Sequence, residues 1–136
     1  MCTSEFVKRT LAEVEEAIKT QRETSGVDRV HSALHGYLRL VCDRAGIAFV
    51  QDDRIVELFK KLLAEHAALR DLGPRPQDTA TITKSICAVM TVIDPLRNKA
   101  SYAHPTPALL DVPEATLAIN AARTILHYVD AKLAAG

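Results

Sequence analysis

At 136 residues the chain has room for a single domain with its own core, because a domain of this size hides about 68% of its unfolded surface. Seventeen basic and seventeen acidic residues cancel, which gives no support to a high-affinity, non-specific nucleic-acid binder with a basic face and still allows a small local basic site. Aromatics make up 4% of the chain with no tryptophan, a composition that suits packed helices better than a sheet.

The first helix is expected over residues 4–23. Ser4 stands at the N-cap position, and Phe6, Val7, Leu11, Val14, Ala17 and Ile18 recur at helical spacing. Lys8, Arg9, Glu13, Glu15, Glu16 and Lys19 fill the other face, as on a solvated helix. Thr24-Ser25-Gly26 is expected to break the pattern, which restarts as a helix over 27–45 with Gly46 as its C′ residue. Its apolar stripe is Val27, Val30, Leu34, Tyr37, Leu38 and Val41, with His31 and His35 on one face at the edge of that stripe and Arg39 one turn on.

A third helix is expected to be capped by Asp52 or Asp53 and to bury Ile55, Val56, Leu58, Phe59, Leu62, Leu63, Ala67 and Leu69. His66 sits among alanine and leucine and reads as a lone core or surface histidine. Gly73-Pro74-Arg75-Pro76 forms a loop. The fourth helix is expected from Asp78 or Thr79 and carries Ile82, Ile86, Val89, Met90 and Ile93. Its threonines and serine lower its intrinsic propensity, so packing must hold it. Pro95 then predicts either a kink or a fresh turn carrying 96–103, because proline removes one ladder bond and its ring crowds the preceding turn. His104-Pro105-Thr106-Pro107 stops that helix. After a loop over 106–112, Pro113 and Glu114 open a last helix with Leu117, Ala118, Ala121, Ile125, Leu126 and Val129 on one face. The expectation is an all-α, five-helix up-and-down bundle forming one domain over 1–136.

Cys2, Cys42 and Cys87 are odd in number and widely spaced, which points to reduced thiols serving as small core residues. The N-terminal stretch carries Glu5 and has no long apolar run, so neither a signal peptide nor a membrane span is expected, and the expected compartment is the cytoplasm. No cofactor is expected.

The segment from Asp94 to Pro105 concentrates the chemistry. It holds Arg97, Asn98, Lys99, Ser101, Tyr102 and His104. Histidine is the side chain best placed to move protons near neutral pH. Arginine clamps phosphate with a planar fork and stabilises charge that builds on it, and Asn98 can donate to a phosphate oxygen or hold the histidine tautomer. Seven residues on a helix span roughly 10 Å along its axis, so Arg97 and His104 lie on one side and their side chains can converge on one phosphate. RNA cleavage with the 2′-hydroxyl as nucleophile fits those parts and needs no metal. The structural alternative makes Arg97 a helix-terminal ion pair with Asp94 and His104 a stop residue. For His31 and His35 three readings stand: boundary histidines bonded to a neighbouring helix, support for the Arg97 segment, or, with His104, a metal site. A metal site needs a third ligand of matching kind beside the two, and the His-Glu-x-x-His pattern of a metalloprotease is absent.

The run Leu96-Arg97-Asn98-Lys99-Ala100-Ser101-Tyr102-Ala103-His104 resembles the Arg-Asn-Lys-…-Ala-His signature of the abortive-infection C-terminal (Abi-C) family of the HEPN superfamily. Residues 30–38 look like that family's early helix and 117–122 like its final one, so the similarity covers about 27–134. The resemblance implies an all-helical, metal-independent endoribonuclease in which Arg, four to six residues and His form the motif. It implies Arg97, Asn98 and His104 as catalytic residues, with Lys99, Ser101, Tyr102, His31 and His35 beside the RNA. It also implies a homodimer whose two motifs share one cleft, and a toxin or phage-defence role, with a nucleotidyltransferase-type antitoxin as partner in some relatives. Pro105 stands where the family often has glycine. Thr106 stands where toxins regulated by tyrosine modification carry tyrosine. The alternative implied function is a non-catalytic module that binds RNA, a nucleotide or a protein.

Overall fold

The computed structural model describes residues 23–101 and 112–135 together with Glu5, Lys8, Arg9, Ala12 and Glu16; for 23–29, 92–101, 112 and 115 it describes the backbone alone. Those five early residues are helical, and all five are exposed. They are the i, i+3, i+4, i+7 and i+11 positions of one helical face, opposite the apolar stripe read from the sequence. The rest of the expected first helix lies outside the described residues.

Five helices follow: α1 (Glu23–Arg44), α2 (Ile55–Glu65), α3 (Ala67–Arg70), α4 (Pro76–Ser101) and α5 (Val112–Ala135), with no strand among the described residues. The all-α expectation holds. α1 is the central element and packs against α2, α4 and α5. Val30, Leu34, Tyr37, Leu38 and Val41 are all buried, so its apolar stripe faces inward as the spacing predicts. From α2, Ile55, Leu58, Phe59 and Leu62 join the same core, and from α5, Ala118, Ile119, Ala122, Ile125, Leu126 and Val129.

Several boundaries differ from the sequence reading. Thr24, Ser25 and Gly26 lie inside α1 rather than before it. A glycine in a helix costs only about 1 kcal/mol, which a long helix packed on three neighbours absorbs. At its other end α1 closes as expected: Gly46 has φ +71°, its N–H donates to Asp43 O at 3.2 Å, and Ile47 N–H donates to Cys42 O at 2.9 Å. This is a Schellman closure, with Ile47 and Cys42 both buried beneath it.

The cap of α2 is Arg54, and neither Asp52 nor Asp53 takes that position. Arg54 N–H donates to the Glu57 carboxylate at 2.5 Å, so the side chain three residues on does the capping. The expected third helix is also divided. α2 ends at Glu65, His66 turns to extended backbone, and α3 restarts at Ala67 with Ala68 N–H donating to His66 Nδ1 at 3.1 Å. Ala67, placed on the buried side by its spacing, is exposed because the break shifts the register.

α4 begins at Pro76, two residues earlier than expected. Its missing N–H costs nothing in a first turn, where no intrahelical acceptor exists. The helix then continues unbroken past Pro95 to Ser101, so there is no fresh turn at Pro95. Thr79, Thr81, Ser85 and Thr91 each return their hydroxyl to the carbonyl four residues back, at 2.9 to 3.2 Å. Their side chains therefore compete little with the helix for other partners.

Candidate functional site

Arg97, Asn98, Lys99 and Ser101 lie in the last turns of α4. Tyr102 and His104 lie outside the described residues, as do 106–111 of the loop expected over 106–112; Val112 already belongs to α5. Helical register nevertheless says where each of the first four belongs. Residues seven apart sit two turns apart on nearly one line. Arg97 continues the row Thr83–Met90, both of which are buried. Asn98 continues the row Lys84–Thr91, both exposed.

On the Arg97 side a third pair of rows departs from the sequence reading. Ile82 is 58% exposed and Val89 44% exposed, with Ile86 half-buried between them. These residues belong to the apolar set that the sequence reading places on this helix. The periodicity was enough to make an apolar stripe, yet α1, α2 and α5 cover only its Thr83–Cys87–Met90 edge. The Ile82–Val89 row continues by register to Leu96, the residue before Arg97.

The two α1 histidines differ in their surroundings. His31, expected at the edge of the stripe, is buried. His35 is half-buried, and its Nε2 donates to the carbonyl of Asp53 at 2.8 Å. A carbonyl only accepts, so Nε2 carries the proton. The ring partner is therefore the α1–α2 connection and not a neighbouring helix. The ring centroids of His31 and His35 are 6.5 Å apart at 43°. Among the described residues no group of three or more His, Cys, Asp or Glu side chains comes together as a metal site.

Asp53 ties this corner together, a role that the sequence reading missed by treating it as a cap. Its carboxylate accepts from Lys61 and from Val50 N–H, the latter at 3.1 Å. The Lys61 hydrogen bond and then the Val50 N–H hold its carboxyl below the usual range. Close by, the Arg39 guanidinium lies 5.5 Å from the Phe49 ring centroid and packs on the same connection. The signal in the sequence was an acid eight residues before a lysine, across a helix start, which spacing rules for a single helix do not detect.

The remaining titratable groups of the core are held neutral. Burial pushes the Cys42 and Cys87 thiols up, so neither is an activated nucleophile. Burial and then the Asp130 carboxylate push the Tyr37 phenol well above its ordinary value.

A family model, Abi-C, described as an HEPN-like domain, matches residues 5–132. The match reaches further toward the N-terminus than the 27–134 expected from the motifs, and takes in the early helical residues as well. No curated protein and no solved structure matches the chain.

Proposed function

The chain belongs to the Abi-C family of HEPN-like domains, and from that premise we propose that it is a metal-independent endoribonuclease acting in toxin or phage defence. The observation that carries the reading is that Arg97-Asn98 lies near the end of a long continuous helix within the family-matched stretch. A rigid helix suits a catalytic cation better than a loop, because the charge it meets develops at one fixed place.

In this mechanism the ribose 2′-oxygen attacks the adjacent phosphorus and the P–O5′ bond breaks. The products are a 2′,3′-cyclic phosphate and a 5′-hydroxyl end. His104 takes the 2′-hydroxyl proton or returns one to the leaving oxygen, and its equivalent from a second chain serves the other step. Arg97 and Asn98 hold the phosphoryl oxygens as negative charge builds on them. Lys99, Ser101 and Tyr102 line the RNA beside them, and His31 and His35 support the site from α1. The exposed Ile82 and Val89 support a homodimer, since their row runs in register toward the Arg97 turn and would bring two motifs together. An antitoxin of nucleotidyltransferase type would restrain the activity, and the site of action is the cytoplasm. No described helix is long and apolar enough to cross a membrane.

RNA incubated with the protein in EDTA tests this. The wild type is expected to cut, and His104→Ala and Arg97→Ala to lose roughly 10²- to 10⁴-fold in rate. Undiminished cutting by His104→Ala removes His104 from the mechanism. A second reading, a non-catalytic RNA- or protein-binding module, is favoured by the zero net charge. Binding that survives His104→Ala but fails with Arg97→Ala, without cutting by any form, selects it.

A further inference from the structure

Between α2 and α4 runs a groove of about 420 Å³ lined by Lys60, Leu63, Thr83, Lys84, Cys87, Ala88 and Thr91. Its two lysines come from facing helices, and both are exposed. Among the described residues neither ammonium pairs with a carboxylate. Lys61, next to Lys60 in sequence, is by contrast taken up by Asp53. Glu57, one turn before Lys60 on α2, is engaged by the Arg54 N–H as a helix cap. The groove thus keeps two positive charges without a carboxylate partner among the described residues, in a chain whose net charge is zero.

The rest of the lining is small or apolar. Cys87 and Leu63 make the floor, Ala88 leaves the passage wide, and the Thr91 hydroxyl is turned back to Cys87 O at 2.9 Å. Lys84, Thr91 and Asn98 then follow one another at intervals of seven along α4. The groove therefore leads by register to Asn98, about 21 Å from Lys84 at the helical rise. Two ammonium groups without a carboxylate partner, one from each wall, form a pattern that takes phosphates.

We propose that the α2–α4 groove is a subsite for the backbone of single-stranded RNA, with Lys60 and Lys84 binding phosphates a few nucleotides away from the one held at Arg97-Asn98. The proposal rests on the ribonuclease reading for the identity of the strand and adds where its flanking phosphates lie. Such a subsite would supply local affinity without a basic face, in keeping with a net charge of zero. Lys60 and Lys84 hold substrate and take no part in the chemistry.

Binding of a labelled 2′-O-methyl single-stranded RNA, whose blocked hydroxyl prevents cutting, tests the subsite apart from catalysis. Anisotropy titrations over a range of salt are made with wild type, Lys60→Ala/Lys84→Ala, and Arg44→Ala/Arg70→Ala as a charge-matched control outside the groove. The groove variant is expected to bind at least 10-fold more weakly and to lower the slope of log affinity against log salt by about 1.4, two contacts at ~0.7 each. The control is expected to stay near wild type. Equal affinity and slope for groove variant and wild type overturn the proposal, as does an equal loss in the control, and so does an absence of RNA binding by the wild type. If the groove variant alone loses binding but the wild type does not cut RNA in EDTA, the subsite stands and the ribonuclease reading falls. If the wild type cuts and the groove variant binds normally, the reverse holds.

Discussion

His66 ends one helix and begins the next: its N–H closes α2 on Leu62 O at 2.9 Å, while its Nδ1 receives the Ala68 N–H of α3. An imidazole that accepts at Nδ1 carries its proton on Nε2, so the ring works here as a neutral cap. His66→Ala should lower unfolding free energy by about 1 kcal/mol in urea titrations, and His66→Asn should retain most of it. Equal losses in both would show that the ring packs rather than caps. The Asp53–Lys61 pair sets a pH dependence of definite sign. Its folded carboxyl titrates below the unfolded value, so its contribution is present above the ordinary carboxylate range and disappears as pH falls through the folded value. Lys61→Met should therefore melt below wild type at neutral pH, with the gap closing in acid; a gap that persists in acid would mean that the lysine stem matters more than its charge. Tyr37 works in the opposite direction. Its folded phenol titrates above the unfolded value, so the contribution holds below about pH 10 and is lost as alkali ionises the unfolded chain. Tyr37→Phe should move alkaline unfolding to higher pH, measured by helical circular dichroism.

Among the elements, α4 shows most clearly what a pattern can and cannot specify. Its apolar residues recur at helical spacing and the helix forms, but spacing does not say how wide a stripe the neighbours will cover. Thr83 is buried while Ile82, a far more apolar neighbour, is 58% exposed. That inversion depends on where α2 and α1 press against α4. Pro95 was similarly readable only as a local penalty. In the folded chain α4 runs on to Ser101, leaving the Thr91 carbonyl without the N–H that residue 95 would otherwise give it. Pro95→Ala restores that donor and should raise the unfolding free energy in urea titrations, by up to roughly 3 kcal/mol if the backbone stays in place. A fall in stability would show that the helix around Pro95 has a path that alanine does not follow. The His66 break, too, was invisible to periodicity. Leu62 and Leu69 are seven apart and both buried, so the apolar pattern runs smoothly across a point where the backbone leaves the helix.

Taken whole, the molecule has one core, organised around α1. Leu34 is fully buried at its centre, and Leu34→Ala should cost about 2–5 kcal/mol, read by chemical unfolding. The uncovered α4 face bears on assembly: Ile82→Glu with Val89→Glu should leave folding intact and give a monomer in sedimentation, with RNA cutting lost if two motifs share a cleft. A monomeric wild type would remove the shared cleft from the mechanism. The sequence by itself determined the all-α class, the buried faces of α1, α2 and α5, the Gly46 closure and the Arg97-to-His104 motif, because each depends on local periodicity, turn chemistry or residue identity within a few turns of chain. Only the tertiary structure decided that Asp53 binds Lys61 and His35 instead of capping a helix, that His31 is buried, that Ile82 and Val89 face outward, and that Lys60 and Lys84 meet across one groove. Those outcomes depend on which helices are neighbours and how far each covers the next, a geometry set by packing of the whole core.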